Sequence, residues 1–221
     1  LSRITNTSDS DFAEVVTHAS RGILILVAAT GIQFLFDVFL ARSFGTHGTG
    51  VFYLCMSVLI VLGILGRLGL DRAVVRFIPG FVREKKPQNI RGIGNTAVKL
   101  SLMITMPTAI VLFFVSQFLA NDIFKTPELS LYLKTFAFAL PAFSLLYVYA
   151  GVLRGIKRTA SALFVERIMV YSIGILSIFG LGWLLGVEGV ILGFTIACYI
   201  TAALGWCLVR RHTRTKTQAV P

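Results

Sequence analysis

The feature that most constrains this chain is a succession of long apolar runs. Six of them, roughly 22–41, 51–70, 98–120, 131–153, 162–185 and 189–209, each contain few charges. Each is close to the ~20 residues that an α-helix needs to cross the hydrocarbon of a bilayer. Barrel strands are much shorter and alternate in polarity, so helices are the spanning form. The residues are 56% hydrophobic and 14% charged, against about 45–50% and about 25% in soluble domains. That surplus is too large for one soluble core of this length. Disorder is excluded by the same excess, since it requires low hydrophobicity. The expected fold is all-α: a polytopic membrane protein with six transmembrane helices.

The 221 residues carry a net charge of +11. A basic balance suits nucleic acid, a membrane surface or an acidic ligand, and the placement of the charge decides among them. Seventeen Lys and Arg fall on the N-terminal segment, the connections after runs two and four with their flanks, and the C-terminal segment. Only Arg42, Lys125 and Lys134 fall on the other side, with Arg67 inside run two. This is the positive-inside pattern, and it predicts a cell-membrane protein with both termini cytoplasmic. The bilayer is the expected partner, and nucleic acid is not. The implied organisation is an amphipathic lead-in at 1–21, a transmembrane unit at 22–209 and a basic tail at 210–221. The unit has basic cytoplasmic connections at about 71–98 and 154–161. The first residue is Leu, as expected of a processed chain or a fragment, and no signal-peptide cleavage site follows the first run.

The connection after run two is more than a solvated charge run. Arg72 and Arg76 alternate with apolar residues at near-helical spacing, which suits an interfacial helix facing phosphates. Pro79-Gly80 is expected to break it. Cys55, Cys198 and Cys207 sit in apolar runs and read as small packing residues. Neither these nor His18, His47 and His212 have metal-ligand spacing, so no metal or other cofactor is expected.

Ionisable side chains within a span are costly and mark candidate functional positions. Asp37 is the clearest. Thr30, Gln33 and Asp37 follow i, i+3, i+7 spacing and share a helix face, which suits a wet cavity. The alternative is a structural pair of Asp37 with Lys134 or Arg42. Arg67 either pairs with Asp71, four residues on, or meets an anionic group. Glu166 is placed to pair with Arg154 or Lys157. Ser101, Thr105 and Thr108 form one polar stripe, and Pro141, Ser144, Tyr147, Gly151 and Arg154 form another. Either stripe can line a pathway or join helices. Glycines spaced by three or four, such as Gly63, Gly66 and Gly69, favour close helix packing. Acidic prenyl-transfer motifs, a P-loop and a nucleophile elbow are all missing, which disfavours an enzyme.

Four stretches carry a family resemblance: Arg21-Gly22, the hairpin from Leu40 to Phe52, Leu68 to Phe77, and Leu153 to Arg158. Together they resemble the N-terminal half of polysaccharide biosynthesis (oligosaccharide flippase, Wzx-like) proteins of the MATE/MOP transporter superfamily. The resemblance covers about residues 12–209. It implies two six-helix lobes around a central cavity, and alternating access that moves a polyprenyl-pyrophosphate-linked glycan between leaflets. It also implies basic cavity residues that meet the pyrophosphate, for which Arg21, Arg42, Arg67 and Arg76 are the candidates. Asp37 is similar in place to the first-span acid of cation-coupled multidrug members. Only one lobe is present here, so the resemblance requires a second, from a longer chain or another copy. Two alternatives stand beside the flippase: a cation-coupled multidrug exporter, and a non-transporting scaffold in polysaccharide assembly.

Overall fold

In the computed structural model the first two apolar runs lie in one helical stretch, α1 (Ser2–Arg67), which folds back on itself at Gly45. Residues 2–84 and 87–218 are described, with side chains at 22–82, 84 and 88–212. Gly45 has φ 65° and ψ −167°, a region open essentially to glycine alone. The aromatic rings prove the fold-back. Phe36 and Phe52 have centroids 5.5 Å apart, whereas sixteen residues of straight helix would separate them by about 24 Å.

The remaining helices are α2 (Leu70–Arg83), α3 (Pro87–Phe118), α4 (Leu129–Gly155), α5 (Thr159–Leu163), α6 (Val170–Phe179), α7 (Leu181–Leu185) and α8 (Val187–Gln218). A π-turn at Leu119–Ile123 extends α3, and another at Phe164–Met169 joins α5 to α6. Among the described residues, five stretches are long and apolar enough to cross a membrane: Gly22–Arg67, Gln88–Ile123, Leu129–Gly155, Thr159–Phe179 and Val187–His212. The first is 46 residues long, twice what one crossing requires.

α4 is the centre of the bundle. Its most apolar window is 78% buried, and α1, α2, α3 and α8 all pack on it. A helix buried over most of its surface is apolar nearly all round, and α4 is so apart from a few polar residues such as Ser144, Tyr147 and Arg154. One end of the bundle collects Arg67, α2 and the neighbourhoods of Arg91, Arg154 and Arg210. It is called the basic end below.

Several expectations change. The stretch 71–98 is mostly helical: α2 fills its first half, and α3 begins eleven residues before the apolar run does. Lys85 and Lys86 lie outside the described residues. α2 does not break at Pro79-Gly80 but continues to Arg83. Tertiary docking outweighs the proline. Val74 and Ile78 are buried, and Ile78 fits where Gly155 of α4 has no side chain. The run 162–185 is interrupted at Gly180, where α6 ends and the short α7 begins. Cys55 and Cys198 are buried as expected, but Cys207 is exposed, because its side of α8 has no helix against it. The amphipathic lead-in at Phe12 to Arg21 lies outside the described side chains.

Several of the spaced glycines become close contacts, whereas Gly69 has open space around it and serves the turn into α2 with φ 74°. A Cβ on Gly151 would sit 2.8 Å from the Asp71 carbonyl oxygen, one on Gly66 2.5 Å from Thr105 Cγ2, and one on Gly193 would collide with Ser177 Cβ. The polar stripe of α3 is also a packing face. Ser101 and Thr105 are fully buried. The Thr105 and Thr108 hydroxyls donate to their own helix, to the carbonyls of Ser101 and Ile104 at 2.7 and 2.8 Å.

One prediction follows from the α2–α4 contact. Gly151→Leu must push α2 off α4, and overpacking of this kind costs about 1–3 kcal/mol. Thermal unfolding in detergent should show a clear loss. Gly92→Ala, with open space around its Cβ, should leave the midpoint nearly unchanged. Equal effects would contradict the docking described.

Candidate translocation site

The two arms of the α1 hairpin are held together by a phenylalanine core. Phe36 meets Phe52, Phe52 meets Phe136 of α4 and Phe194 of α8, and all four are fully buried. Ring centroids are 6.0 Å apart for Phe52–Phe136 and 5.8 Å for Phe52–Phe194. Tyr171 of α6 stacks on Phe36 at 5.6 Å. Tilted and edge-on pairs like these add favourable quadrupole contacts to simple burial.

This core sets the position of its sequence neighbours. Asp37 follows Phe36 on one arm and Tyr53 follows Phe52 on the other. The Tyr53 hydroxyl donates to the Asp37 carboxylate. Each lies eight residues from Gly45, about 12 Å from the turn. Asp37 and Gln33 are half-buried, and Thr30 is exposed with its hydroxyl donated to the Leu26 carbonyl at 2.9 Å. The polar strip therefore runs along a partly open side of the first arm. Lys134, one partner considered for Asp37, instead has Nζ 5.8 Å from the Phe113 ring centroid. Arg42 is exposed near the turn.

The basic end holds a second cluster. Arg67 is 7% exposed. Its guanidinium lies 4.1 Å from the Tyr147 ring centroid and 5.9 Å from that of Phe143. Tyr147 and Phe143 form a cation–π floor for it. The Asp71 and Glu166 carboxylates are near enough to act on it electrostatically. Its Nη1, with Ser101 Oγ and Ser144 Oγ, is buried without a hydrogen-bond partner. Glu166 pairs with Arg154 across the connection between α4 and α5, as the sequence led us to expect. The π-turn carries Glu166, and such turns re-aim side chains by inserting a residue into the helix. The α4 stripe is thus a packing face: Tyr147 meets Arg67, Gly151 meets Asp71 and Arg154 meets Glu166.

The candidate residues do not form one group. Thr30, Gln33 and Asp37 lie in the body of the bundle. Arg67 lies about 20 Å along the axis from the level of Asp37 and about 10 Å from that of Thr30, packed inside the helices. Arg76 is exposed on the outer face of α2, and the Arg21 side chain lies outside the described residues. Sequence reasoning missed Tyr53 as the partner of Asp37 and Tyr147 as the partner of Arg67. The first has a readable signal: in a tight hairpin turning at Gly45, residues 37 and 53 are equidistant from the turn.

The arrangement can be set beside known proteins. An outward-facing multidrug resistance MATE family transporter of the MOP superfamily matches with a TM-score of 0.78 at 17% identity, over 89% of this chain and 45% of that one. The Vibrio cholerae MATE transporter VcmN in its bent form matches with a TM-score of 0.76 at 16% identity, over 90% and 46%. A MATE protein in its straight conformation gives 0.73 at 18% identity, over 89% and 45%. At such identities the likeness is one of fold. The chain spans a little under half the length of these transporters. No curated protein sequence matches it. The polysaccharide biosynthesis protein family matches residues 19–221; the chain belongs to that family and has the fold of half a MATE/MOP transporter.

Proposed function

We propose that this chain is one lobe of a flippase that carries a lipid-linked oligosaccharide or polysaccharide precursor across the cytoplasmic membrane by alternating access. The observation that carries this reading is the family match over nearly the whole chain, on a fold that is half of a transporter. The lobe has six spans, the two arms of α1 counting separately. Both termini are cytoplasmic, since the basic end then faces the cytoplasm. The second lobe comes from the rest of a longer chain or from another copy.

In this reading the polar strip of Thr30, Gln33 and Asp37 faces the cavity and meets the glycan. Arg21 and Arg76 gather the pyrophosphate at the inner surface. Arg42 holds the corresponding position near the outer end. Arg67 is packed under α1 in this conformation, so it acts on the substrate only when the helices around it part. A buried cation with an unpaired donor is expensive, and that cost is the reason for giving it a role in transport.

A second reading has its own support. A half-buried first-span carboxylate held by a tyrosine hydroxyl also suits the coupling site of a cation-driven exporter.

Three predictions follow. Cells lacking the full-length gene should accumulate lipid-linked glycan on the inner leaflet. Unchanged surface glycan without accumulation would remove the flippase and favour a scaffold. Dye efflux driven by a Na⁺ or H⁺ gradient, abolished in Asp37→Asn, would favour the exporter instead. Arg67→Met should leave the thermal midpoint of the purified protein unchanged or higher, since replacing a poorly satisfied buried charge by an apolar side chain is often neutral or stabilising. The same variant should lose transport. A midpoint lowered by several degrees with transport intact would make Arg67 purely structural.

A further inference from the structure

Lys134 is a cation that the site described above does not use. It lies in the membrane-spanning stretch Leu129–Gly155, five residues after the start of α4. That start is at the end of the bundle opposite the basic end, because the adjoining Glu128 carboxylate meets His47 Nε2, just past the Gly45 turn, at 3.5 Å. Ionisable groups within a span are ordinarily paired. Among the described residues Lys134 makes no ion pair: Asp37 is held by the Tyr53 hydroxyl and Glu128 by His47. The Lys134 ammonium rests instead 5.8 Å from the Phe113 ring centroid, which attracts a cation without neutralising it. An apolar groove opens at the same ring. It holds about 340 Å³ between α3, α4 and α8, and Phe113 is part of its wall. So are Ala137 and Phe138, three and four residues after Lys134, so the cation and the groove lie one turn apart on one face of α4. From Phe114 the groove follows α3 down to Met106, about 12 Å toward the bilayer midplane, against half of the ~30 Å hydrocarbon thickness. It is open to the bilayer, with Phe114 76% and Phe138 61% exposed.

We propose that Lys134 and this groove bind one anionic phospholipid of the outer leaflet. Its phosphate lies against the ammonium, and one acyl chain runs down the groove toward the midplane. Charge complementarity selects the occupant. The groove is lined by no charged side chain, so the ammonium at its mouth is what distinguishes a net-negative headgroup from a zwitterionic one. A lysine near the end of a span can lift its ammonium to the headgroup layer while its stem stays among apolar groups. A helix of a partner protein would cover the groove and leave the cation in the membrane without a counter-charge, and a free anion would have no use for the groove. The assignment rests on the proposed topology only for the choice of leaflet and does not depend on the transported substrate.

The test puts a single tryptophan in the groove, Phe114→Trp combined with Trp183→Phe and Trp206→Phe, in the chain reconstituted into vesicles. Brominated acyl chains quench an indole that they touch, so brominated phosphatidylglycerol and brominated phosphatidylcholine give relative affinities at that position. Phosphatidylglycerol should be favoured about fivefold. Adding Lys134→Gln should remove the preference, and Lys134→Arg should keep it. Trp183, 87% exposed on α7 and retained as the single tryptophan of a second protein, should show no such preference. Equal affinity for the two lipids at position 114 would overturn the site. So would a preference that survives Lys134→Gln or is matched at Trp183. Absence of quenching by either lipid would put a protein segment in the groove and overturn the site as well. Quenching reads neither translocation nor orientation, so failure here is separate from failure of the proposed function.

Discussion

The packing of α4 against four other helices is the constraint on which the rest of the fold depends. Without water in a bilayer core there is little hydrophobic force between helices, so association rests on close packing and a few polar contacts. α4 supplies both. Its glycines admit the start and middle of α2, its phenylalanines Phe136 and Phe143 meet the second arm of α1, and its last turn holds the ion pair that ties α4 to the π-turn after α5. Its own polar groups, among them Ser144, Tyr147 and Arg154, are few, and its neighbours bring theirs to the same stripe. Arg67 does so from α1, Asp71 from α2 and Glu166 from the π-turn. The basic end is therefore a consequence of how the central helix is wrapped.

Much of this was legible in the sequence, and the boundary between what was and was not is physical. The apolar runs were visible because length and hydropathy are summed over some twenty residues, and no local detail can hide them. The Arg154–Glu166 pair was visible because a short connection leaves the two few alternatives. α2 was harder. Pro79 signals a break by its missing N–H and its ring, but the signal is local, and the burial of Ile78 against Gly155 is not. The early start of α3 was hidden for the opposite reason: its first turns are polar because they lie beyond the hydrocarbon. Helix continues where hydropathy stops.

The candidate site was legible in part only. Asp37 stood out because a carboxylate in an apolar run is expensive. Its partner Tyr53 did not, since a tyrosine in such a run is ordinary. What joins them is the phenylalanine core one residue away on each arm, and aromatic residues in apolar runs carry no positional signal until the turn at Gly45 is known. Arg67 was singled out correctly as costly, but its depth was not foreseeable. An arginine near a helix end can snorkel to the interface, and only the placement of Tyr147 and Phe143 keeps this one inside.

The central helix follows both arms of α1 and α3 in the sequence, and that order has a consequence during synthesis. Chains emerge from the N-terminal side, so the two arms and α3 are made before the element they pack against exists. They cannot bury their final faces in that interval. What the first two can do is close on each other through Phe36, Phe52 and the Tyr53–Asp37 hydrogen bond, across a turn set by one glycine. The carboxylate is thereby offered a donor within its own hairpin, before any later helix arrives. The contact between Tyr53 and Asp37 is thus also what allows an acidic residue to wait in the membrane while the rest of the chain is made.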